Sequence, residues 1–183
     1  TDGTGAATGT AITVIGDTST VTLEDGSSIS GGIELNTNDD SFTSTLNIQV
    51  DQTIDSLNTG AGTTVDLAKD VTLTLGSNNR DSLIKGRLVS SEINPVTLVI
   101  TGTGKTTITD LQSGESERTE EALGGITNHT LQIDSGATLE VGDSDRNDAA
   151  KWDGAINGSG TLRVTNDLFT VRGPEKAFSG DIE

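Results

Sequence analysis

A short alternating run built on Thr-Leu recurs along the chain, and no other feature limits its fold so much. It reads Val21-Thr22-Leu23, Thr45-Leu46-Asn47-Ile48, Val71-Thr72-Leu73-Thr74-Leu75 and Val96-Thr97-Leu98-Val99-Ile100. It returns as Thr130-Leu131-Gln132-Ile133, Ala137-Thr138-Leu139-Glu140-Val141 and Thr161-Leu162-Arg163-Val164. Aliphatic residues take every second position, with Thr, Asn, Gln, Glu or Arg between them. Successive side chains of a strand point to opposite faces, so each run buries one aliphatic row and wets the other. One Leu per cycle (Leu23, Leu46, Leu73, Leu98, Leu139, Leu162) gives steps of 23, 27, 25, 41 and 23 residues. Near-constant steps of this size, punctuated by Gly-rich corners, signal a repeat architecture. The long step holds an extra strand and a charged insertion.

Composition favours a solenoid over a layered core. Of 183 residues, 31% are hydrophobic and only 2% aromatic, too few to fill irregular gaps between packed layers. Stacked aliphatic residues from successive turns need no such filler. Low hydrophobicity with high charge also marks disordered chains, but those lack regular alternation. Thr and Gly suit exposed strand faces and tight corners. The expected fold is all-β: a right-handed parallel β-helix of roughly seven or eight turns with loop insertions. At about 4.8 Å per turn the column is roughly 35–40 Å long.

Several functions are disfavoured. The formal net charge of −17 repels nucleic acid and anionic lipid, permits cation binding and keeps a long surface protein soluble. No apolar run approaches the roughly 18 residues needed to span a bilayer. With no Cys there is no disulfide framework, which fits a bacterial chain exported through a pore. Residues 1–183 read as one β-helix segment with no linker. The start at Thr1, and an end at Gly180-Asp181-Ile182-Glu183 that echoes Gly32-Ile33-Glu34-Leu35, suggest an excised piece of a longer protein.

Between the runs the chain is polar. Residues 1–11 read as a frayed leader, Asn36 to Ser44 as a loop, and Leu83 to Val96 as a less regular stretch. Gln112 to Gly125 carries Glu115, Glu117, Arg118, Glu120 and Glu121 before Gly124, which predicts one or two helical turns. Gly142 to Gly154 is a second polar excursion.

Candidate chemistry is sparse. Thr101-Gly102-Thr103-Gly104-Lys105-Thr106 imitates a phosphate-cradling loop, but Val99 stands where the first Gly should be and a strand follows instead of a helix. Asp143, Asp145, Asn147 and Asp148 begin like a calcium loop. The sixth position is Asp148 instead of Gly and the twelfth is Gly154 instead of Glu, so an EF-hand is excluded. A looser calcium cage and a plain solvated loop remain, as they do for Asn38-Asp39-Asp40 and Asn78-Asn79-Arg80-Asp81. No cofactor other than calcium is indicated. His129 is the only histidine and has no second His or Cys to complete a metal site, so an edge or internally satisfied side chain is expected. Trp152 either caps the stack at a loop root or offers a face to a sugar. Among 28 acidic residues no carboxylate pair stands out for sugar cleavage.

Asn157-Gly158-Ser159-Gly160-Thr161-Leu162-Arg163-Val164, followed by Phe178-Ser179-Gly180-Asp181-Ile182, resembles the passenger repeats of bacterial autotransporters. Asp134-Ser135-Gly136-Ala137-Thr138-Leu139-Glu140-Val141 is similar to the same phrase, while Asp167 to Lys176 lengthens the usual spacing. The resemblance implies a β-helix exported across the outer membrane and displayed on the cell surface. It further implies adhesion, self-association in aggregates or biofilm, or a stalk for an enzyme. No functional residue transfers with it. A non-enzymatic adhesin segment is therefore expected, with like molecules on neighbouring cells or a host surface protein or glycan as partners. Binding is assigned to the side face, whose Thr, Asn and Asp rows can zip to a like surface, and to the loops Gln112 to Gly125 and Gly142 to Gly154, with Glu115, Glu117, Arg118, Glu120, Arg146 and Trp152 as candidate residues. The alternatives are a polysaccharide-processing β-helix enzyme and a structural stalk.

Overall fold

The structure is a computed structural model describing residues 9–16, 18–36, 41–68, 70–90, 95–113, 129–142, 151–165, 169–172 and 177–183. It is a parallel β-solenoid with three strand ladders, and among the described residues there is no helix. None, therefore, is long and apolar enough to cross a membrane.

The first ladder stacks β2 (Ser19–Leu23), β4 (Ser44–Ile48), β7 (Thr63–Leu67), the second half of β9 (Ser82–Ser90), the second half of β11 (Lys105–Ser113), the start of β14 (Lys151–Gly158) and β16 (Thr170–Arg172). The second stacks β1 (Thr10–Val14), β3 (Gly32–Leu35), β6 (Leu57–Thr59), the first halves of β9 and β11, β13 (Thr138–Val141), β15 (Thr161–Val164) and β18 (Asp181–Ile182). The third stacks β5 (Gln52–Ile54), β8 (Thr72–Leu75), β10 (Thr97–Ile100), β12 (His129–Ile133), the rest of β14 and β17 (Ala177–Phe178).

The inward rows are the aliphatic stripes of the sequence, stacked in register. Leu73, Leu98, Leu131 and Ile156 form one column, and Ile54, Leu75, Ile100 and Ile133 the next. All of these residues are buried. Each step repeats much the same side-chain shape, so like packs on like at the spacing that strand pairing imposes.

About five turns close around this core, between residues 32 and 158. The expected seven or eight turns overcount, because partial turns flank the closed ones. Ile12, Val14 and Val21 at the first, and Val171 and Phe178 at the last, are only partly buried. The closed column spans about 24 Å.

Two predicted irregularities are strand in their described parts. Leu83 to Val96 contains most of β9, which bends at Gly86 and serves two faces. The register of its neighbour β11 shifts at the same corner, between Ile108 and Asp110. The excursion Gly142 to Gly154 rejoins the column as β14 at Lys151. The helical turns predicted within Gln112 to Gly125 fall almost wholly outside the described residues, since β11 runs on to Ser113.

Candidate functional site

The outward rows carry the chemistry left over from the core. On the second face one row runs Thr13, Glu34, Asn58, Leu83, Thr107, Glu140 and Arg163, each beside the next across a rung. A groove of about 270 Å³ is lined by Glu34, Asn58, Thr59, Leu83 and Lys85. Leu83 is 39% exposed, an aliphatic side chain left outside by the alternation that sends Ser82 and Ile84 inward. Thr10 Oγ1 donates to Glu34 Oε1 at 3.2 Å, and Leu83 N–H donates to Asn58 Oδ1 at 3.0 Å.

Beyond the groove the charges form a line. Lys105 Nζ lies 3.1 Å from Glu140 Oε1, and Arg163 reaches Glu140 Oε2 at 3.6 Å. The Arg163 guanidinium also donates to Glu183 Oε2, from Nε at 2.9 Å and from a terminal nitrogen. The bond to Glu183 and its charge, then Glu140, hold the Arg163 pKa above its ordinary value. The third face is neutral by contrast, with Thr72, Thr97 and Thr130 in one outward row.

Asn and Asp at the strand entries tie one rung to the next. Asp51 Oδ1 accepts from Thr72 N–H at 2.7 Å, Asn79 Oδ1 from Thr103 N–H at 2.9 Å, and Asp81 Oδ1 from Lys105 N–H at 2.7 Å. These bonds satisfy backbone donors at corners where the ladder is interrupted. Asn79 and Asp81, weighed above as calcium ligands, thus spend one oxygen each on the backbone. Asn38 to Asp40, Asp143, Asp145, Asn147 and Asp148 lie outside the described residues. Among the described residues no three His, Cys, Asp or Glu side chains gather. At the phosphate-loop look-alike, Gly102 has φ 74° and Lys105 opens β11, so a corner and a strand stand where a cradle would need a helix.

Trp152, assigned to binding from the sequence, is 1% exposed and its ring is turned into the column. Val171 of the following rung pairs beside it. Its indole N–H donates to Ala155 O at 3.2 Å, and its ring lies 5.9 Å from that of His129, tilted by 56°. The other residues assigned to binding (Glu115, Glu117, Arg118, Glu120 and Arg146) lie outside the described residues.

His129 is buried in the wall of the column at 1% exposure. Its Nδ1 accepts from Val96 N–H at 3.2 Å, so the neutral ring carries its proton on Nε2. Nε2 has no partner among the described residues. Burial lowers the His129 pKa below its ordinary 6.5. Below pH 6.5 the unfolded chain therefore binds a proton that the folded one refuses, and stability falls as the pH drops. Urea denaturation between pH 7 and 5 should show this loss as a stability that declines with falling pH. The slope attributable to this side chain should vanish in His129→Gln.

No family model matches the chain, and no curated protein and no solved structure matches it either.

Proposed function

We propose that this chain is a non-catalytic binding segment of a bacterial cell-surface adhesin, acting by attachment or self-association along the side of its column. One observation carries the reading. Among the described residues most apolar side chains are consumed inside the solenoid, and the outer strand faces present ordered rows that are mainly polar, among them the row from Glu34 to Arg163 with its groove and its one exposed Leu83. Such rows suit broad, repetitive contact with another surface more than the enclosure of a substrate. The likeness of Asn157–Val164 to autotransporter passenger repeats supports display outside the outer membrane. On this reading the partners are like molecules on neighbouring cells, or a host surface protein or glycan. The segment itself needs neither cofactor nor membrane insertion.

Sequence alone offers both the side face and the loops for binding, and a bead assay separates the two. Beads coated with the protein should cluster or attach to cell surfaces. They should still do so after residues 114–128 and 143–150 are each replaced by a short Gly-Ser link. Loss of both activities in a folded loop-less variant would return binding to the loops. Turnover on a panel of surface glycans would replace the adhesin with an enzyme.

A further inference from the structure

Along the later rungs of the second face charges are spent on one another, as Lys105, Glu140, Arg163 and Glu183 show. The groove on the earlier rungs differs. It is lined by one acid and one base, Glu34 and Lys85, and among the described residues neither has an ionic partner. Glu34 has one oxygen engaged, by Thr10 Oγ1, and its other can accept. Asn58 Oδ1 is held by Leu83 N–H, which leaves the amide nitrogen to donate. Between them stands the exposed Leu83 side chain. Glu34 lies two rungs from Leu83, roughly 10 Å, and Lys85 lies two positions further along the same strand, roughly 7 Å. Unspent acceptors and donors thus surround one apolar patch.

We propose that this groove binds a single neutral 2-acetamido sugar, such as N-acetylglucosamine, on the surface glycans of another cell; the inference rests on the attachment form of the function proposed above. The acetamido substituent joins a methyl group, a carbonyl oxygen and an N–H. Leu83 meets the methyl, Lys85 donates to the carbonyl, and the ring hydroxyls donate to Glu34 and accept from Asn58. A plain hexose has nothing to set against Leu83. Acidic sugars are disfavoured, because the groove's one acid and one base balance while the chain as a whole carries 28 acidic against 11 basic residues. A peptide would seek an open strand edge, but the strands that form the groove are already paired between rungs. A sugar needs only the side chains.

The groove is small. At about 270 Å³ it falls below the range for drug-sized ligands and suits one unit of a glycan. Without an aromatic platform a single contact is weak, and many copies on one surface supply the strength.

Saturation-transfer NMR with N-acetylglucosamine and with glucose reads the site directly. N-acetylglucosamine should bind in the millimolar range, and glucose several-fold more weakly. Leu83→Thr should erase that preference, lowering N-acetylglucosamine affinity about fourfold and leaving glucose unchanged. Glu34→Gln keeps the oxygen that Thr10 uses and should weaken both sugars about fivefold. Both positions face outward, so thermal melts of the variants should match the wild type. No signal from either sugar, or a preference that survives Leu83→Thr, would overturn the site and leave the adhesin reading to the bead assay. Attachment of wild-type beads to cells should be blocked by N-acetylglucosamine and not by glucose. Attachment that ignores the sugar but is lost when the cells are treated with protease would overturn the glycan in favour of a protein partner.

Discussion

Alanine in place of Gly86 should break the column near its middle. A Cβ there would stand 1.8 Å from Thr63 O and 2.7 Å from the Thr63 carbonyl carbon, with Gly60 O at 3.0 Å. All three are backbone atoms of the rung beneath, fixed in a turn where Thr63 N–H donates to Gly60 O at 3.1 Å. No side chain can swing aside, so the rungs must separate at this corner. That separation would strain the pairing of β7 with β9. The cost should reach the upper end of the usual overpacking range, about 3 kcal/mol or more. Gly26 supplies the comparison. It has φ 85° and open space for 4 Å around the point where a methyl would stand, so Gly26→Ala should cost only the left-handed backbone penalty, about 1–2 kcal/mol. Urea denaturation followed by circular dichroism measures both. Equal losses would mean that the close approach at Gly86 does not decide its identity.

The second large effect is expected at Leu98. It is fully buried, with Leu73 directly beside it on one rung and Leu131 on the other. In a layered core the neighbours of a truncated side chain move in. Here the rungs on both sides are held at strand spacing by their backbone bonds, so the gap cannot close along the axis. Leu98→Ala should therefore fall in the upper part of the range for such changes, about 3–5 kcal/mol. Leu162→Ala, near the end of the stack beside the exposed Ile182, should cost clearly less. The same denaturation series checks the difference. Comparable losses at the two positions would contradict the view that stacking confines the cavity.

The alternation of Val71 to Leu75 or Val96 to Ile100 made strands legible because inward and outward residues differ in kind. It did not say which face a strand belongs to. The Thr-Leu phrase occurs on all three: Leu46 lies in the first ladder, Leu98 in the third and Leu139 in the second. The steps taken from Leu to Leu therefore crossed between faces, and the step of 41 mixed such a crossing with an insertion. Ser82 and Thr106 hid another part of the pattern. Both point inward and are buried, and Ser82 Oγ accepts from Leu57 N–H at 3.0 Å. Polar residues at core positions made β9 look irregular.

The site was less legible than the fold. Trp152 follows an acidic stretch in sequence, which suggested a loop root. What defines it is His129, 23 residues earlier, brought alongside because His129 pairs with Gly154. Such a contact depends on ladder register, which local pattern does not specify. The charge order of Glu34, Glu140 and Arg163 was hidden for the same reason. Residues 106 and 23 positions apart become one row only after the chain has wound.

The ladders also show where extra length can be carried. Leu98 and Leu131 sit side by side although 33 residues apart, against 25 for Leu73 and Leu98. The surplus falls between Ser113, where β11 ends, and His129, where β12 begins. Closing a longer loop costs little more than closing a shorter one. A foreign peptide spliced into that interval should thus be presented outward with the rungs undisturbed, which makes the solenoid a ready mast for displayed cargo.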